Sequence, residues 1–233
     1  MTDAIDRLDW PALGAALLDQ GHARAEGVLS PEACAAFRAF WERDELFRQR
    51  IVMVRHGYGE GAYAYFADPL PDAVRALREG LYRHLAPVAD EAMARLGREV
   101  RYPPDHAAYR AECQAAGQTK PTPLLLRYGE GGYNRLHRDL YGALAFPFQA
   151  TFLLSQPGTD FTGGEFLLVE NRMRMQAMGE AVPLERGDMV VFPVRDRPVA
   201  GRRGPVRAEM RHGVSRVRSG ERFTLGIIFH DAA

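Results

Sequence analysis

Cysteine is nearly absent from this sequence: 233 residues contain two, Cys34 and Cys113, far apart in segments with helical spacing. That excludes a disulfide scaffold and leaves buried or incidental thiols, the usual form in a reducing compartment. A long apolar run is also missing. No stretch of about 18 apolar residues occurs, so no membrane-spanning helix is expected. The N-terminal Met-Thr-Asp-Ala-Ile-Asp-Arg lacks the basic and apolar regions of a secretory signal, and the expected location is cytoplasmic. Net charge is absent too, with 30 basic residues balancing 30 acidic ones, and there is no internal repeat or low-complexity tract. What remains is 46% hydrophobic residues in a chain long enough to bury a full core as one compact domain.

Organisation changes near residue 120. Before it, apolar spacing is helical. Ser30-Pro31-Glu32 opens one helix, with Ser30 as N-cap, Pro31 at the first helical position, and Cys34, Phe37, Phe40 and Trp41 following. A longer helix covers about 71–96 through Val74, Leu77, Leu81, Leu85 and Val88, and Pro87 is expected to kink or divide it. Between them, Ile51-Val-Met-Val and Tyr63-Ala-Tyr-Phe flank a glycine-rich turn, Gly57 to Gly61. They predict a β-hairpin near 51–66, with Tyr58, Tyr63 and Phe66 available as a substrate lid. From Leu124 the period shifts to strands at 124–128, 149–154, 165–169, 189–192, 214–217 and 222–229, punctuated by turn residues such as Gly163-Gly164 and Gly187-Asp188. The expectation is an α+β protein: a sandwich or jelly-roll core over 121–233, and a helical region over 1–120 bracing one sheet.

Four residues in the second half carry chemistry: His137 and Asp139 in His-Arg-Asp, His212 in Arg-His-Gly-Val, and Arg222 in Arg-Phe-Thr. Two imidazoles and one carboxylate on one face of an ion leave three positions open, as non-haem Fe(II) oxygenases require. Arg222 is suited to an organic-acid co-substrate, because its planar fork can grip a carboxylate with two charge-assisted hydrogen bonds. The triplet alone is weak evidence, since seven histidines and about 6% aspartate give roughly 0.4 His-x-Asp by chance. Order and setting add weight: Tyr128-Gly-Glu-Gly-Gly, the triplet, Thr162-Gly-Gly-Glu-Phe, Arg186-Gly-Asp-Met-Val-Val-Phe-Pro, His212-Gly-Val, then Arg222-Phe-Thr ten residues on.

Across roughly 124–230 this order resembles the 2-oxoglutarate- and Fe(II)-dependent dioxygenases, in their prolyl-hydroxylase-like branch. The resemblance implies a double-stranded β-helix core, and it implies Fe(II), 2-oxoglutarate and dioxygen as cofactor and co-substrates, with ascorbate as a supporting reductant. It implies His137, Asp139 and His212 as metal ligands. Arg222 and Thr224 would bind the far carboxylate of 2-oxoglutarate, with Tyr128 as an extra hydrogen-bond donor or a barrel-filling aromatic. Asp139 favours hydroxylation, because related halogenases have a small residue there. His22, His56, His84, His106 and His230 are read as structural or exposed.

Substrate is the thinnest inference. Arg195, Arg197, Arg202, Arg203, Arg207, Arg211, Arg216 and Arg218 stand against Asp196 and Glu209 alone, a basic stretch beside His212 that could attract nucleic acid or pair with acidic residues elsewhere. The whole chain, including Phe229-His-Asp, resembles small bacterial oxygenases suspected of nucleic-acid modification, which implies oxidative dealkylation, a DNA-repair reaction. It departs from known alkylation-repair dioxygenases, whose Arg-x-Asn-x-Thr-x-Arg run is replaced here by Arg222-Phe-Thr-Leu-Gly-Ile-Ile. Alternatives are a protein or peptide hydroxylase of prolyl type, a small-molecule hydroxylase, a metal hydrolase or isomerase on a cupin-like barrel, and a non-catalytic binding module or metal sensor.

Overall fold

The structure is a computed structural model and describes residues 2–202 and 204–233. Two antiparallel sheets face each other. The larger runs in the order β1 (Ala23–Ala25), β11 (Met189–Pro193), β7 (Phe148–Leu153), β15 (Arg222–Ile228), β5 (Leu124–Tyr128), β4 (Ala62–Phe66) and β2 (Phe47–Val52). The smaller is β10 (Met178–Val182), β9 (Phe166–Asn171), β13 (Gly204–Val214), β6 (Tyr133–His137) and β3 (Gly59–Glu60), with β12 (Asp196–Gly201) also paired to β13. A short ribbon joins β8 (Phe161–Gly163) to β14 (Val217–Gly220). The result is an open jelly-roll core.

Alternation on the central strands decides what each face of the large sheet meets. Phe148, Ala150 and Phe152 on β7, with Phe223, Leu225 and Ile227 on β15, belong to one core with residues from α2 (Trp10–Asp19), α3 (Pro31–Ala39), α4 (Asp72–Arg95) and α5 (His106–Ala115). Gln149, Thr151, Arg222, Thr224 and Gly226, the intervening residues, line a cavity between the sheets. A short α1 (Thr2–Asp6) packs on α4. The Ser30 hydroxyl caps α3 by accepting from the Ala33 amide at 3.2 Å.

Several expectations change. α4 runs undivided from Asp72 to Arg95 through Pro87. The N-terminal region braces the core and also supplies β1, β2 and β4 to the large sheet. The strand expected at 214–217 is instead the end of the 11-residue β13 and the start of β14. β13 went unread because arginines mask its alternation: Arg207 and Arg211 are exposed while Ala208, Met210 and His212 are buried. No helix among the described residues is long and apolar enough to cross a membrane.

A buried polar knot fixes the end of β15 to the helices. Arg78 pairs with Asp231 at 2.7 Å and donates to the carbonyls of Ile228 and Phe229 at 2.8 and 3.0 Å. His106 Nε2 donates to the Phe229 carbonyl at 2.9 Å, and Gln118 bonds the carbonyls of Leu144 and Asp231. Burial, reinforced by the Arg78 cation, pushes the His106 pKa down to about 3 and that of His230 to about 4. Both are neutral in the fold, whereas an unfolded histidine takes its proton near pH 6.5. Below that pH the unfolded chain binds more protons, so stability is expected to fall by about 1.4 kcal/mol per pH unit per histidine until the folded groups titrate. Urea denaturation between about pH 7 and 4 checks this. His106→Gln should flatten the slope, and a level wild-type profile would mean neither imidazole is held neutral.

Candidate metal centre and co-substrate pocket

β6 and β13 lie side by side with His137 opposite His212. Three residues earlier on β6, Asn134 is opposite Val214, so Arg135 and Leu136 together stand across from Gly213 alone. This bulge breaks the period of two and lets Asn134 and His137 both face the cavity, leaving Arg135 and Leu136 exposed at its mouth. Gly213 admits the bulge: a Cβ there would lie 2.7 Å from the Asn134 carbonyl oxygen. The alternation of side chains along a strand predicts His137 and Asp139 on one side of the same strand, but β6 ends at His137 and Asp139 lies beyond it. The chain leaves the sheet after His137 and turns Asp139 back toward both imidazoles.

The three expected ligands meet. Asp139 Oδ2 is 3.2 Å from His212 Nε2, Asp139 Oδ1 is 3.7 Å from His137 Nε2, and one ligand atom from each residue lies within 4.8 Å of the others. His137 Nδ1 donates to the Arg135 carbonyl at 2.7 Å, which fixes the tautomer and leaves the Nε2 lone pair for a metal. Burial and the neighbouring His137 hold His212 below the ordinary histidine range, so it too is neutral, the form that ligates. Burial alone would raise Asp139, but the two imidazoles and a hydroxyl hold it well below the usual carboxylate range. The site therefore offers two imidazole nitrogens and one anionic oxygen.

That hydroxyl belongs to Tyr141, which donates to Asp139 Oδ1 at 2.5 Å and is itself bonded to the Tyr65 hydroxyl at 3.0 Å. Arg48 lies over the Tyr65 ring at 4.5 Å. The chain Tyr65–Tyr141–Asp139 holds one carboxylate oxygen and leaves the other free for a metal. Tyr141→Phe is accordingly expected to weaken Fe(II) or Co(II) binding by about 10- to 100-fold with little change in unfolding temperature. Metal titration followed by Co(II) absorption checks it, and an unchanged affinity would show that Asp139 is held without Tyr141.

Arg222 opens β15 opposite Tyr128 and is 1% exposed. Its Nε and Nη1 have no partner, and burial lowers its pKa to about 10, which leaves it charged at neutral pH. A buried cation without a counter-ion is costly, and two unpaired fork nitrogens facing a cavity fit a carboxylate ligand. Tyr128, pushed up to about 12 by burial, keeps its phenolic proton, and its oxygen accepts from Asn134 Nδ2 at 3.3 Å. Thr224 is buried on the same face. Gly163 and Gly164 are tight-turn residues as expected, with φ of +70° and +63°. Gly164 also makes room for Arg222, whose Cδ would lie 2.9 Å from a Cβ there.

The cavity holds about 410 Å³. Sequence reasoning missed Tyr65, Tyr141, Asn134 and Gln149 on its wall. Tyr141 had a signal, two residues beyond Asp139. Gln149, 3% exposed with its amide nitrogen unpartnered, had none. Of the proposed lid, Tyr58 and Tyr63 line the cavity, but Phe66 is fully buried away from it against Phe40 and Phe47.

Residues 61–232 match the Oxygenase-NA family, described as an oxygenase catalysing oxidative methylation of damaged DNA. The chain belongs to this family. Two uncharacterized Mycobacterium tuberculosis proteins, Rv2227 from strain H37Rv and MT2286 from strain CDC 1551, are each 47% identical to it over 191 residues, covering 80% of this chain and 82% of theirs. Among solved structures, a Pseudomonas putida prolyl-4-hydroxylase superposes with a TM-score of 0.57 at 14% identity, over 96% of this chain and 99% of its own. A Burkholderia pseudomallei oxidoreductase of the 2OG-Fe(II) oxygenase family gives 0.56 at 16% identity, over 97% and 94%. This Oxygenase-NA member is thus an oxygenase on the fold of the 2OG-Fe(II) enzymes. Its His-Asp-His group and unpaired buried arginine fit Fe(II), 2-oxoglutarate and dioxygen.

Proposed function

We propose that this Oxygenase-NA protein is an Fe(II)- and 2-oxoglutarate-dependent dioxygenase that removes N-alkyl groups from damaged nucleic acid. One observation carries the reading: a single cavity contains the ligand triad, the unpaired Arg222 guanidinium and a wall of tyrosines, in a chain whose family is associated with damaged DNA. An oxygenase inserts oxygen and transfers no carbon. Acting on an N-methyl base, it converts N–CH3 to N–CH2OH, which releases formaldehyde and restores N–H.

In this reading His137, Asp139 and His212 hold the iron. Arg222 and Thr224 hold the far carboxylate of 2-oxoglutarate, and Tyr128 donates to the same ligand. Bound iron and 2-oxoglutarate would let dioxygen act as the oxidant, with one oxygen atom consumed in converting the keto acid to succinate and carbon dioxide and the other delivered to the substrate C–H bond. The protein's own part is orientation and water exclusion. Arg222 fixes the keto acid at one end of the cavity. Tyr63, Tyr65 and Tyr141 offer apolar ring faces to an aromatic substrate, and Gln149 offers an amide donor and acceptor to its edge. A base cannot reach such a cavity from within a duplex, so the enzyme extrudes it or acts on single strands.

Succinate formation should be compared with no substrate, N-methylated single- and double-stranded DNA, and a proline-rich peptide pool. Stimulation by methylated DNA with matching formaldehyde is the expected result. Stimulation by peptide alone would replace the reading with a prolyl-type hydroxylase.

A further inference from the structure

Of the described arginines that precede His212 in the Arg195–Arg218 stretch, three have acidic partners and two, Arg202 and Arg211, are exposed without one. Arg197 is buried against Glu170 at 2.6 Å, Arg195 pairs with Asp196 at 3.2 Å, and Arg207 lies 3.3 Å from Glu209 and 3.8 Å from Asp196. Arg203 lies outside the described residues. A strip beside the catalytic mouth differs from them in position, because its Tyr58, Arg135 and Leu136 border the cavity. Arg55 and Arg135 are exposed and form no salt bridge among the described residues. The same two segments carry three exposed apolar groups: Val54 at 66%, Tyr58 at 49% and Leu136 at 41%.

The two segments are joined at the rim of the cavity. The Arg135 amide donates to the Tyr58 carbonyl at 2.8 Å, which ties the 53–58 turn to the β6 bulge. Tyr58, Arg135 and Leu136 also line the cavity. Tyr58 stacks on His56 with centroids 5.3 Å apart and planes 20° from parallel, so its ring is braced from one side. Arg135 lies over the Tyr133 ring at 5.7 Å, with Arg216 over the same ring at 4.8 Å. Glu60, the acidic residue of this segment, turns toward the Gly131 loop.

We propose that this strip, Arg55, Tyr58, Arg135 and Leu136, is the docking surface for a single strand of nucleic acid whose damaged base enters the cavity, in place of the Arg195–Arg218 stretch. The inference rests on the dealkylation reading. Cations alternating with exposed aromatic and apolar groups suit unstacked bases and their phosphates, whereas duplex binding draws on many phosphate contacts and little stacking. Two unpaired arginines set a shallow salt dependence: each phosphate contact on a single strand contributes a slope of about −0.7, so roughly −1.4 is expected for log K against log salt.

Fluorescence anisotropy of a methylated single-stranded oligonucleotide, titrated over a salt series, tests it. Arg55→Gln, Arg135→Gln and Tyr58→Ala should each weaken binding about fivefold or more. Each arginine change should remove about 0.7 from the slope, Tyr58→Ala should leave the slope unchanged, and Arg135→Lys should restore it. The double change Arg202→Gln with Arg211→Gln should leave affinity within twofold. Equal binding by all three strip variants, or a larger loss in the Arg202/Arg211 variant, overturns the assignment of the surface. If methylated DNA still stimulates turnover in that case, the dealkylation reading stands without this strip. If the wild type neither binds the oligonucleotide nor responds to it, both fail. Unfolding temperature and Co(II) binding serve as fold controls, since the substituted side chains are exposed.

Discussion

Replacing Asp139 with alanine is expected to lower Fe(II)-dependent consumption of 2-oxoglutarate by about 10³-fold or more while the protein still folds. The loss exceeds the roughly 10- to 100-fold carried by outer partners of a metal ligand, because the variant keeps only two neutral donors and no anion to offset the ion's charge. Folding survives for a specific reason. The side-chain partners of Asp139 are Tyr141 and the two ligand imidazoles, and Tyr141 keeps its bond to Tyr65 when the carboxylate is gone. No buried hydroxyl is orphaned, and Asp139 lies beyond the end of β6. Iron titration and 2-oxoglutarate consumption, read beside a thermal unfolding curve, check the prediction. Undiminished consumption would remove Asp139 from the mechanism.

Arg222 predicts two effects of opposite sign. Arg222→Ala should raise the half-saturating 2-oxoglutarate concentration by roughly 30-fold or more, since truncating one partner of a buried charge pair costs about 2–5 kcal/mol. Excess 2-oxoglutarate should restore much of the turnover. Without ligand the same guanidinium is a buried cation with two unpartnered nitrogens, so Arg222→Met, which is similar in length and apolar, should stabilise the ligand-free protein by about 1–4 kcal/mol. Thermal melts with Mn(II), with and without 2-oxoglutarate, separate the effects. The wild type should gain stability on adding 2-oxoglutarate, and Arg222→Met should start higher and gain little. A lower melting point for the ligand-free Met variant would mean Arg222 has structural work besides waiting for a carboxylate.

Much of this was legible in the sequence. The triad and Arg222 stood out because motif order ties residue types to coordination needs, and Ser30-Pro31 marked a helix start through local hydrogen bonding alone. What escaped depends on distant partners. The net charge of the Arg195–Arg218 stretch could be counted, but the burial of Arg197 against Glu170 and the pairing of Arg207 with Asp196 and Glu209 depend on a distant strand and on the β12–β13 register. The same register hid β13, whose buried Ala208, Met210 and His212 are separated by charged residues. Tyr65 reaches Tyr141 across 76 positions, which no periodicity records. The β6 bulge was not legible either, because it is a mismatch between two paired strands and leaves no mark on the sequence of one.

That bulge also limits how such an enzyme can change its substrate over evolutionary time. Arg135 faces outward, yet its carbonyl orients His137, and its backbone is pressed against Gly213. Inserting or deleting a residue there to reshape the rim would swing His137, a proposed metal ligand, out of place. The 53–58 turn joins the same surface through the Tyr58 carbonyl, which accepts from the Arg135 amide rather than from His137, Asp139 or His212. New specificities are therefore freer to arise in the turn, with β6 left as the fixed wall.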